Sequence, residues 1–235
     1  CCSRLYYGCC KTFGDFNEMV FAKYLRSWCR KYPNRGYGLS FSRWLATDNY
    51  VPYNSYGNGS AMRVSPCALF FSVLDSVLEV AQYSAQCTHN HAEGIKGAKA
   101  VADCIFVCKN KIVPKNRLLQ YVSEKYGYKL NFTCDDIRKS NTFDETCQVT
   151  VPQAIVSFVE SSDFEDTIRL AVSIGGDSDT IAAIAGSIAE AYYGVPDNLW
   201  NEAKKYLTPE IMNVVDKFYG TYIGCEQRPF LEEIK

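Results

Sequence analysis

The chain has 235 residues, of which 47% are apolar and 22% charged, so it can bury a sizeable core as one large domain or two small ones. Its 25 basic and 26 acidic residues nearly cancel, which excludes a general affinity for nucleic acid or for an anionic membrane surface. The longest mostly apolar run, around Ala68–Leu74, is far shorter than the roughly 20 residues of a membrane span. We therefore expect neither nucleic acid nor membrane as a partner.

Eight of the 12 cysteines stand singly between Cys29 and Cys225, which is typical of small buried hydrophobes in a reducing compartment. This predicts a cytoplasmic protein. The other four form the pairs Cys1-Cys2 and Cys9-Cys10, whose spacing does not match a zinc knuckle. We expect residues 1–12 to be an irregular Cys-rich leader and residues 221–235 a C-terminal tail.

The apolar spacing is helical along most of the chain. Phe16, Val20, Tyr24 and Trp28 predict a first helix, and a second is predicted over Phe70–Ala81. Further helices are predicted over Ile95–Cys108, Lys115–Tyr126, Pro152–Glu160, Phe164–Ser173, Ile181–Tyr193, Asp197–Tyr206 and Pro209–Phe218. Pro114, Pro152 and Pro209 are expected in first helical turns, and Gly194 is expected to end a helix. The pattern indicates one all-α domain over residues 13–220.

Three irregular stretches interrupt the predicted helices: Asn34–Pro66, Thr88–His91 and Gly175–Thr180. Long loops inside a compact helical domain are often functional. These stretches hold both histidines and the densest small polar side chains, so the chemistry is expected there.

Gly175–Thr180 places the oxygens of Asp177, Asp179 and Thr180 within four residues. Carboxylates and hydroxyls are the ligands that Mg²⁺ or Mn²⁺ prefers. A simpler interpretation is that Asp179 or Thr180 caps the helix from Ile181 while Asp177 belongs to the turn. One carboxylate pair cannot complete an octahedral site, so further ligands would have to come from elsewhere.

Gly57, Asn58, Gly59 and Ser60 precede an apolar helix, and backbone N–H groups in such a loop suit a phosphate or diphosphate. Asn-Gly is also common turn chemistry. His89 and His91 lack a usual zinc spacing, so a hydrogen bond to a sugar hydroxyl or a cap for the following helix is favoured over metal binding.

Three segments in this order resemble a known family. Tyr53–Pro66 contains Gly-Asn-Gly-Ser-Ala-Met-Arg, Thr88–Gly94 begins with Thr-His, and Gly175–Gly186 begins with Gly-Gly-Asp-Ser-Asp-Thr. Each is similar to the corresponding segment of ADP-ribosylglycohydrolases, and the similarity runs from about residue 13 to 219. The bacterial branch, which includes the dinitrogenase reductase-activating glycohydrolase, is the most similar.

The resemblance implies an orthogonal multi-helix fold with a cleft for ADP-ribose and two Mg²⁺ or Mn²⁺ ions. It implies that Asp177, Asp179 and Thr180 bind metal, that residues 57–60 hold the diphosphate and ribose, and that His89 lines the ribose side. The implied reaction is hydrolysis of an N- or O-glycosidic bond to ADP-ribose in a modified protein or small molecule. Free ADP-ribose is another expected ligand.

The family's other metal motif, Thr-Asp-Asp-Thr, has no counterpart before Phe13. The sequence therefore predicts an N-terminally incomplete metal site whose catalytic carboxylate is unidentified. Two interpretations stay open: a hydrolase domain, or a catalytically inactive relative that binds ADP-ribose or serves a structural role.

Overall fold

Helices form nearly all the regular structure in this computed structural model, which describes residues 16–140 and 142–222. In chain order, the α-helices of these residues are α1 (Glu18–Lys31), α2 (Leu39–Ala46), α3 (Gly59–Met62), α4 (Ser65–Phe70), α5 (Leu74–Gln86), α6 (Ala92–Lys109), α7 (Leu118–Tyr126), α8 (Cys134–Ser140), α9 (Cys147–Glu160), α10 (Phe164–Ser173), α11 (Ser178–Tyr193), α12 (Asp197–Lys204) and α13 (Pro209–Tyr222). A 3₁₀ turn, Lys115–Arg117, precedes α7. In the same ranges the β pairing is limited to one isolated bridge, Gly57 to Thr146. The all-α prediction is confirmed.

Helix α6 is the centre of the fold, because it packs against α3, α4, α5, α9 and α11. Its sequence is rich in small residues, and these let neighbouring backbones approach closely. A Cβ atom on Gly97 would lie 2.6 Å from Cys147 Sγ, and one on Gly94 would lie 2.7 Å from the Ser55 carbonyl oxygen. The two glycines therefore bring α9 and the loop before α3 directly onto α6.

The predicted helix over Phe70–Ala81 is wrong at its start. Helix α4 ends at Phe70, the backbone of Phe71 is extended, and α5 begins at Leu74. The Phe71 ring packs edge-on against Phe70 and Phe16, with ring centroids 4.8 and 5.5 Å apart. The aromatic contact lies at the break between α4 and α5, where a continuous helix was predicted.

Two other predictions are corrected. The stretch 34–66 is not wholly irregular, because it contains α2, which buries Trp44 and Leu45, and α3. Pro152 does not start a helix, since α9 begins at Cys147. Proline has no N–H to donate to the Gln148 carbonyl four residues earlier, and α9 continues past this missing bond.

Several helix ends follow the sequence signals. Helix α10 has the predicted bounds, and Pro209 is the first residue of α13. Helix α11 ends where predicted, with Gly194 at a φ of 78° and its N–H bonded to the Glu190 carbonyl. The leader predicted over residues 1–12 lies outside the described residues, as does the predicted tail beyond Tyr222.

None of the helices in the described part of the chain combines the length and the apolar character needed to cross a bilayer.

Candidate functional site

The loop before α3 is fastened to the segment that leads into α9. The Asn58 N–H donates to the Glu145 carbonyl at 2.7 Å, and the Cys147 N–H donates to the Tyr56 carbonyl at 2.9 Å. The Cys147 thiol adds a bond to the Gly57 carbonyl at 3.1 Å. Because these bonds cross about 90 residues of sequence, the loop's shape depends on α9 as much as on its own residues.

Most polar groups of this loop face the protein interior. The Gly57 N–H is bonded to Ser55 Oγ at 3.1 Å, and the fully buried Ser60 hydroxyl donates to the Gly94 carbonyl at 2.8 Å. The Asn58 side chain, only 7% exposed, also points inward. Direct substrate contact by the Asn58 or Ser60 side chain would require these internal bonds to break, whereas Gly57 and Gly59 present bare backbone.

His89 lies against this loop. A Cβ atom on Gly59 would stand 3.3 Å from His89 Nε2, so glycine at this position makes room for the imidazole. Thr88 Oγ1 lies 2.7 Å from His89 Nδ1 and accepts a bond from Arg63 Nη2 at 2.9 Å. The Thr88 hydroxyl and Nδ1 therefore share one hydrogen bond, whose direction depends on which imidazole nitrogen carries the proton.

Burial lowers the pKa of His89 well below its ordinary value of 6.5, and the nearby Arg63 guanidinium lowers it further. His89 is therefore a neutral imidazole at neutral pH, suited to hydrogen bonding rather than to carrying charge. Arg63 belongs to the motif that resembles the family, but its role could not be predicted from the motif. In the structure it also bonds to the Ser84 carbonyl at 2.6 Å and so ties the loop to α5.

His91 has the capping role that was one of its two predicted alternatives. It occupies the N-cap position of α6, where its Nδ1 accepts the Glu93 N–H at 3.1 Å. Its ring meets that of Tyr56 edge-on, with centroids 5.2 Å apart. The two histidines of the motif thus differ, one buried beside the glycine loop and one holding the start of α6.

The turn Gly175-Gly176 places Asp177 next to Asn58 of the loop before α3. Both glycines have left-handed backbones, with φ of 74° and 68°, which residues with a Cβ rarely adopt. Helix α11 begins at Ser178, and Asp177 occupies its N-cap position without making a side-chain cap. The simpler interpretation, in which Asp179 or Thr180 caps the helix, is wrong, because both residues lie inside α11 and the N-cap position belongs to Asp177. The Asp177 carboxylate is turned toward Asn58, with 2.6 Å between Asn58 Nδ2 and Asp177 Oδ2.

The oxygens of Asp177, Asp179 and Thr180 converge. The Asp177 carboxylate interacts directly with the side chains of both Asp179 and Thr180. Burial raises the pKa of Asp177, the Asn58 amide opposes that effect, and the neighbouring Asp179 carboxylate raises the pKa further. Over the described ranges, no Lys or Arg side chain forms an ion pair with either aspartate.

These oxygen donors are of the kind that a hard divalent cation prefers, but they are too few to fill its coordination shell. Two carboxylates and a hydroxyl that share negative charge at a helix start are appropriate ligands for Mg²⁺ or Mn²⁺. Residues 16–140 and 142–222 contain no cluster of three or more His, Cys, Asp or Glu side chains that could hold a metal. The described residues thus provide three neighbouring oxygen-bearing side chains here, those of Asp177, Asp179 and Thr180.

The structure brings the three predicted segments together. The Ser55 N–H bonds to the Thr88 carbonyl at 3.4 Å, His89 lies against Gly59, and Asn58 reaches Asp177. Residues at or near the starts of α6, α9 and α11, namely Gly94, Cys147 and Asp177, all contact this loop. Sequence reasoning missed the α9 contribution, Glu145, Cys147 and Thr150, because no motif marks these residues.

An all-α fold in which a glycine loop, a buried histidine and a pair of aspartates meet points to a known family of proteins. The family model for ADP-ribosylglycohydrolase matches residues 5–228, so this chain belongs to the ADP-ribosylglycohydrolase family. A solved ADP-ribosylglycohydrolase-related protein complex superposes with a TM-score of 0.66 at 24% identity, covering 93% of this chain and 78% of that one. The predicted family and its multi-helix fold are confirmed.

The relatives include ADP-ribosylhydrolase ARH3 of Gallus gallus, 28% identical over 77% of this chain and 65% of that protein. The ARH3 of Homo sapiens is 26% identical over 84% of this chain and 71% of its own length. ADP-ribosylarginine hydrolase Tri1 of Pseudomonas putida (strain GB-1) is 29% identical over 77% of this chain and 54% of that protein. The chain thus spans about half to seven-tenths of the length of these relatives.

Proposed function

We propose that this chain supplies the ADP-ribose-binding loop and part of the metal site of a hydrolase that releases ADP-ribose from a modified protein or small molecule. The observation that supports this most strongly is the meeting of Gly57–Gly59, His89 and Asp177 from three distant segments. Family membership and the names of the relatives, which are ADP-ribosyl hydrolases, support the same reaction class.

The metal ligands in this proposal are Asp177, Asp179 and Thr180, with Mg²⁺ or Mn²⁺ as the ion. A divalent cation bound there would supply Lewis-acid polarisation of water and orientation of ribose hydroxyls. The second ion of the family's pair would need ligands beyond those described. The carboxylates themselves contribute negative charge close to a ribose ring that becomes positive as the glycosidic bond breaks.

Substrate binding in this proposal uses the backbone of residues 57–60 and the imidazole of His89. The three converging helix starts favour an anionic group such as a diphosphate. In this proposal His89 carries its proton on Nε2 and donates a hydrogen bond from there to a ribose oxygen. Asn58 and Ser60 keep the loop in shape through their internal bonds.

The partial ligand set also favours a second candidate function, an inactive protein that binds ADP-ribose. The two are separated by incubating the protein with Mg²⁺ and peptides ADP-ribosylated on arginine or on serine, and measuring released ADP-ribose. We expect release, and a loss of at least about 100-fold in Asp179→Ala, because misplacing the reacting groups by an ångström costs that much.

The matched control is Asp163→Ala. Asp163 caps α10 by accepting the Asp166 N–H at 2.8 Å, and it makes no hydrogen bond to the proposed site residues. This variant should therefore retain activity at a lower stability. ADP-ribose binding without release would support the second candidate. Release that survives Asp179→Ala would contradict the proposed metal site.

A further inference from the structure

Asn58 connects three parts of the site through one side chain. Its Nδ2 atom donates to Thr150 Oγ1 at 3.0 Å and to Asp177 Oδ2 at 2.6 Å, across 92 and 119 residues of sequence. A carboxamide nitrogen carries two protons, so both bonds are made at once. The side chain is nearly fully buried, and water has little access to compete for it.

Thr150 determines which way the Asn58 amide faces. Thr150 lies in α9 and is fully buried, and its hydroxyl donates to the Asp144 carbonyl at 3.3 Å. With its proton used there, Thr150 Oγ1 can only accept from Asn58. A flipped amide would place Oδ1 against the Asp177 carboxylate and would require Thr150 to give up its bond to Asp144, so the observed orientation is favoured.

The backbone of Asn58 is held by the same region. Its N–H donates to the Glu145 carbonyl at 2.7 Å, one turn before Thr150, and its carbonyl accepts the Ala61 and Met62 N–H groups at 3.0 Å. Asn58 is therefore a rigid link between the start of α9 and the start of α11. Asp177, which makes no cap of its own, is held by that link.

We propose that Thr150 is a positioning residue of the metal site, acting through Asn58 on the Asp177 carboxylate. This inference rests on the proposed function, since it concerns the same ligands. It assigns Asn58 to supporting Asp177 rather than to touching substrate, and it gives a role to a residue that no motif marks. Hydrogen bonds to a metal-binding carboxylate fix its direction, and losing such support typically weakens metal binding by about 10–100-fold.

The test compares Thr150→Val with Thr150→Ser on the whole protein, using Mn²⁺ as the probe. Valine has nearly the shape of threonine but no hydroxyl, whereas serine keeps the hydroxyl and loses a methyl group. Free Mn²⁺ is measured by electron paramagnetic resonance during titration. We expect Thr150→Val to weaken Mn²⁺ binding about 10-fold, and Thr150→Ser to restore it.

Thr167→Val is the matched control. Thr167 is equally buried, and its hydroxyl bonds to Ser161 Oγ at 2.6 Å and to the Asp163 carbonyl at 2.8 Å, away from the site. It should lower the melting temperature as Thr150→Val does, without changing Mn²⁺ affinity. Equal weakening by Thr150→Val and Thr167→Val would mean that Thr150 acts through general stability, and would overturn the proposal.

A second measurement needs no metal. In protein labelled with ¹⁵N, the Asn58 side-chain NH₂ signals, assigned by their loss in Asn58→Ser, should be well separated and slow to exchange. Thr150→Val should shift one proton signal and speed its exchange, and Thr150→Ser should not. Unchanged Asn58 signals in Thr150→Val would overturn the proposal. If the parent protein fails to bind Mn²⁺, the proposed function fails, and these signals alone decide whether the link exists.

Discussion

Two carboxylates of this molecule, those of Asp103 and Asp177, have opposite surroundings. Asp103, on α6, is fully buried and accepts hydrogen bonds from Tyr121 and Tyr126, at 2.9 and 2.7 Å, and an ion pair from Lys125 at 2.6 Å. Asp177 is only partly buried, has the Asn58 amide as its closest donor, and stands beside a second carboxylate. One carboxylate has a cation of the protein itself, and the other has none among the described side chains.

The difference distinguishes a carboxylate that the protein neutralises from one that it does not. A buried charge is stable when donors and a counter-charge surround it, and Asp103 meets that condition by tying α7 to α6. Burial and Asp179 raise the pKa of Asp177, which shows that its charged form is poorly compensated by the protein. A carboxylate pair short of positive charge is what a cation site requires before its ion arrives.

The largest effect on stability is expected at Asp103. Asp103→Ala should lower the free energy of unfolding by about 3 kcal/mol, because Tyr121, Tyr126 and Lys125 lose their shared acceptor. Asp177→Ala should cost less, because the relief of like-charge crowding with Asp179 offsets the loss of the acceptor for the Asn58 amide. Chemical denaturation of the two variants measures both values. A strongly destabilised Asp177→Ala beside a stable Asp103→Ala would reverse the assignment.

The features of the site that could be predicted are those that depend on residues close together in the sequence. The proposed ligands Asp177, Asp179 and Thr180 lie within one turn, so their convergence follows from local spacing. The link to Thr150 depends on how α9 packs on α6 at Gly97 and Cys147, which no local pattern records. Sequence could therefore place the three motifs in the right class of site, but not show that Asn58 faces inward.

The same distinction applies to the helices. Phe164–Ser173 was predicted at its true bounds because an Asp cap and an amphipathic period both mark it locally. The break at Phe71 and the early start of α9 were missed, since tertiary packing determines both. Local signals define where a helix can begin, and packing decides where it does.

An intermediate effect is expected at His89. His89→Ala should weaken ADP-ribose binding by roughly 1–2 kcal/mol, the value of one hydrogen bond, when measured by calorimetry. His91→Ala is the control, because it removes the α6 cap and should cost stability with little change in affinity. Equal losses of affinity in the two variants would contradict the separate roles of these histidines.

The pH dependence of His89 has a defined sign. Its folded-state pKa is lowered by burial and by Arg63, so the stability gained by keeping it neutral is full above about 6.5 and is lost as the pH falls below that value. Binding of ADP-ribose should consequently show no titration of His89 between about pH 7 and pH 8. A binding transition in that range that disappears in His89→Ala would contradict the neutral imidazole.

The smallest effect is expected at Glu190, a third carboxylate whose surroundings lie between the other two. Glu190 is on α11 and accepts a hydrogen bond from the Tyr219 hydroxyl of α13. No Lys or Arg of the described ranges forms an ion pair with it. Burial raises its pKa, and the Tyr219 hydroxyl opposes that rise.

The sign of its contribution follows from the raised pKa. The folded protein holds the Glu190 proton at a higher pH than the unfolded chain does, so this stabilisation is full below about 4.5 and is lost as the pH rises through the folded-state value. Glu190→Gln keeps an acceptor for Tyr219 but cannot ionise. We expect it to gain stability relative to the parent as the pH rises from about 5 to about 8, by less than the Asp103→Ala loss.

Tyr219→Phe sharpens this test, because the hydroxyl that it removes is the group that partly offsets burial. Without that donor the pKa of Glu190 should rise further, and the loss of stability with rising pH should become steeper than in the parent. Denaturation curves of the parent, Glu190→Gln and Tyr219→Phe at both pH values give the comparison. A parent and a Glu190→Gln variant with parallel pH profiles would show that Glu190 is as well compensated as Asp103, and would leave Asp177 as the single carboxylate of the three that the protein fails to neutralise by itself.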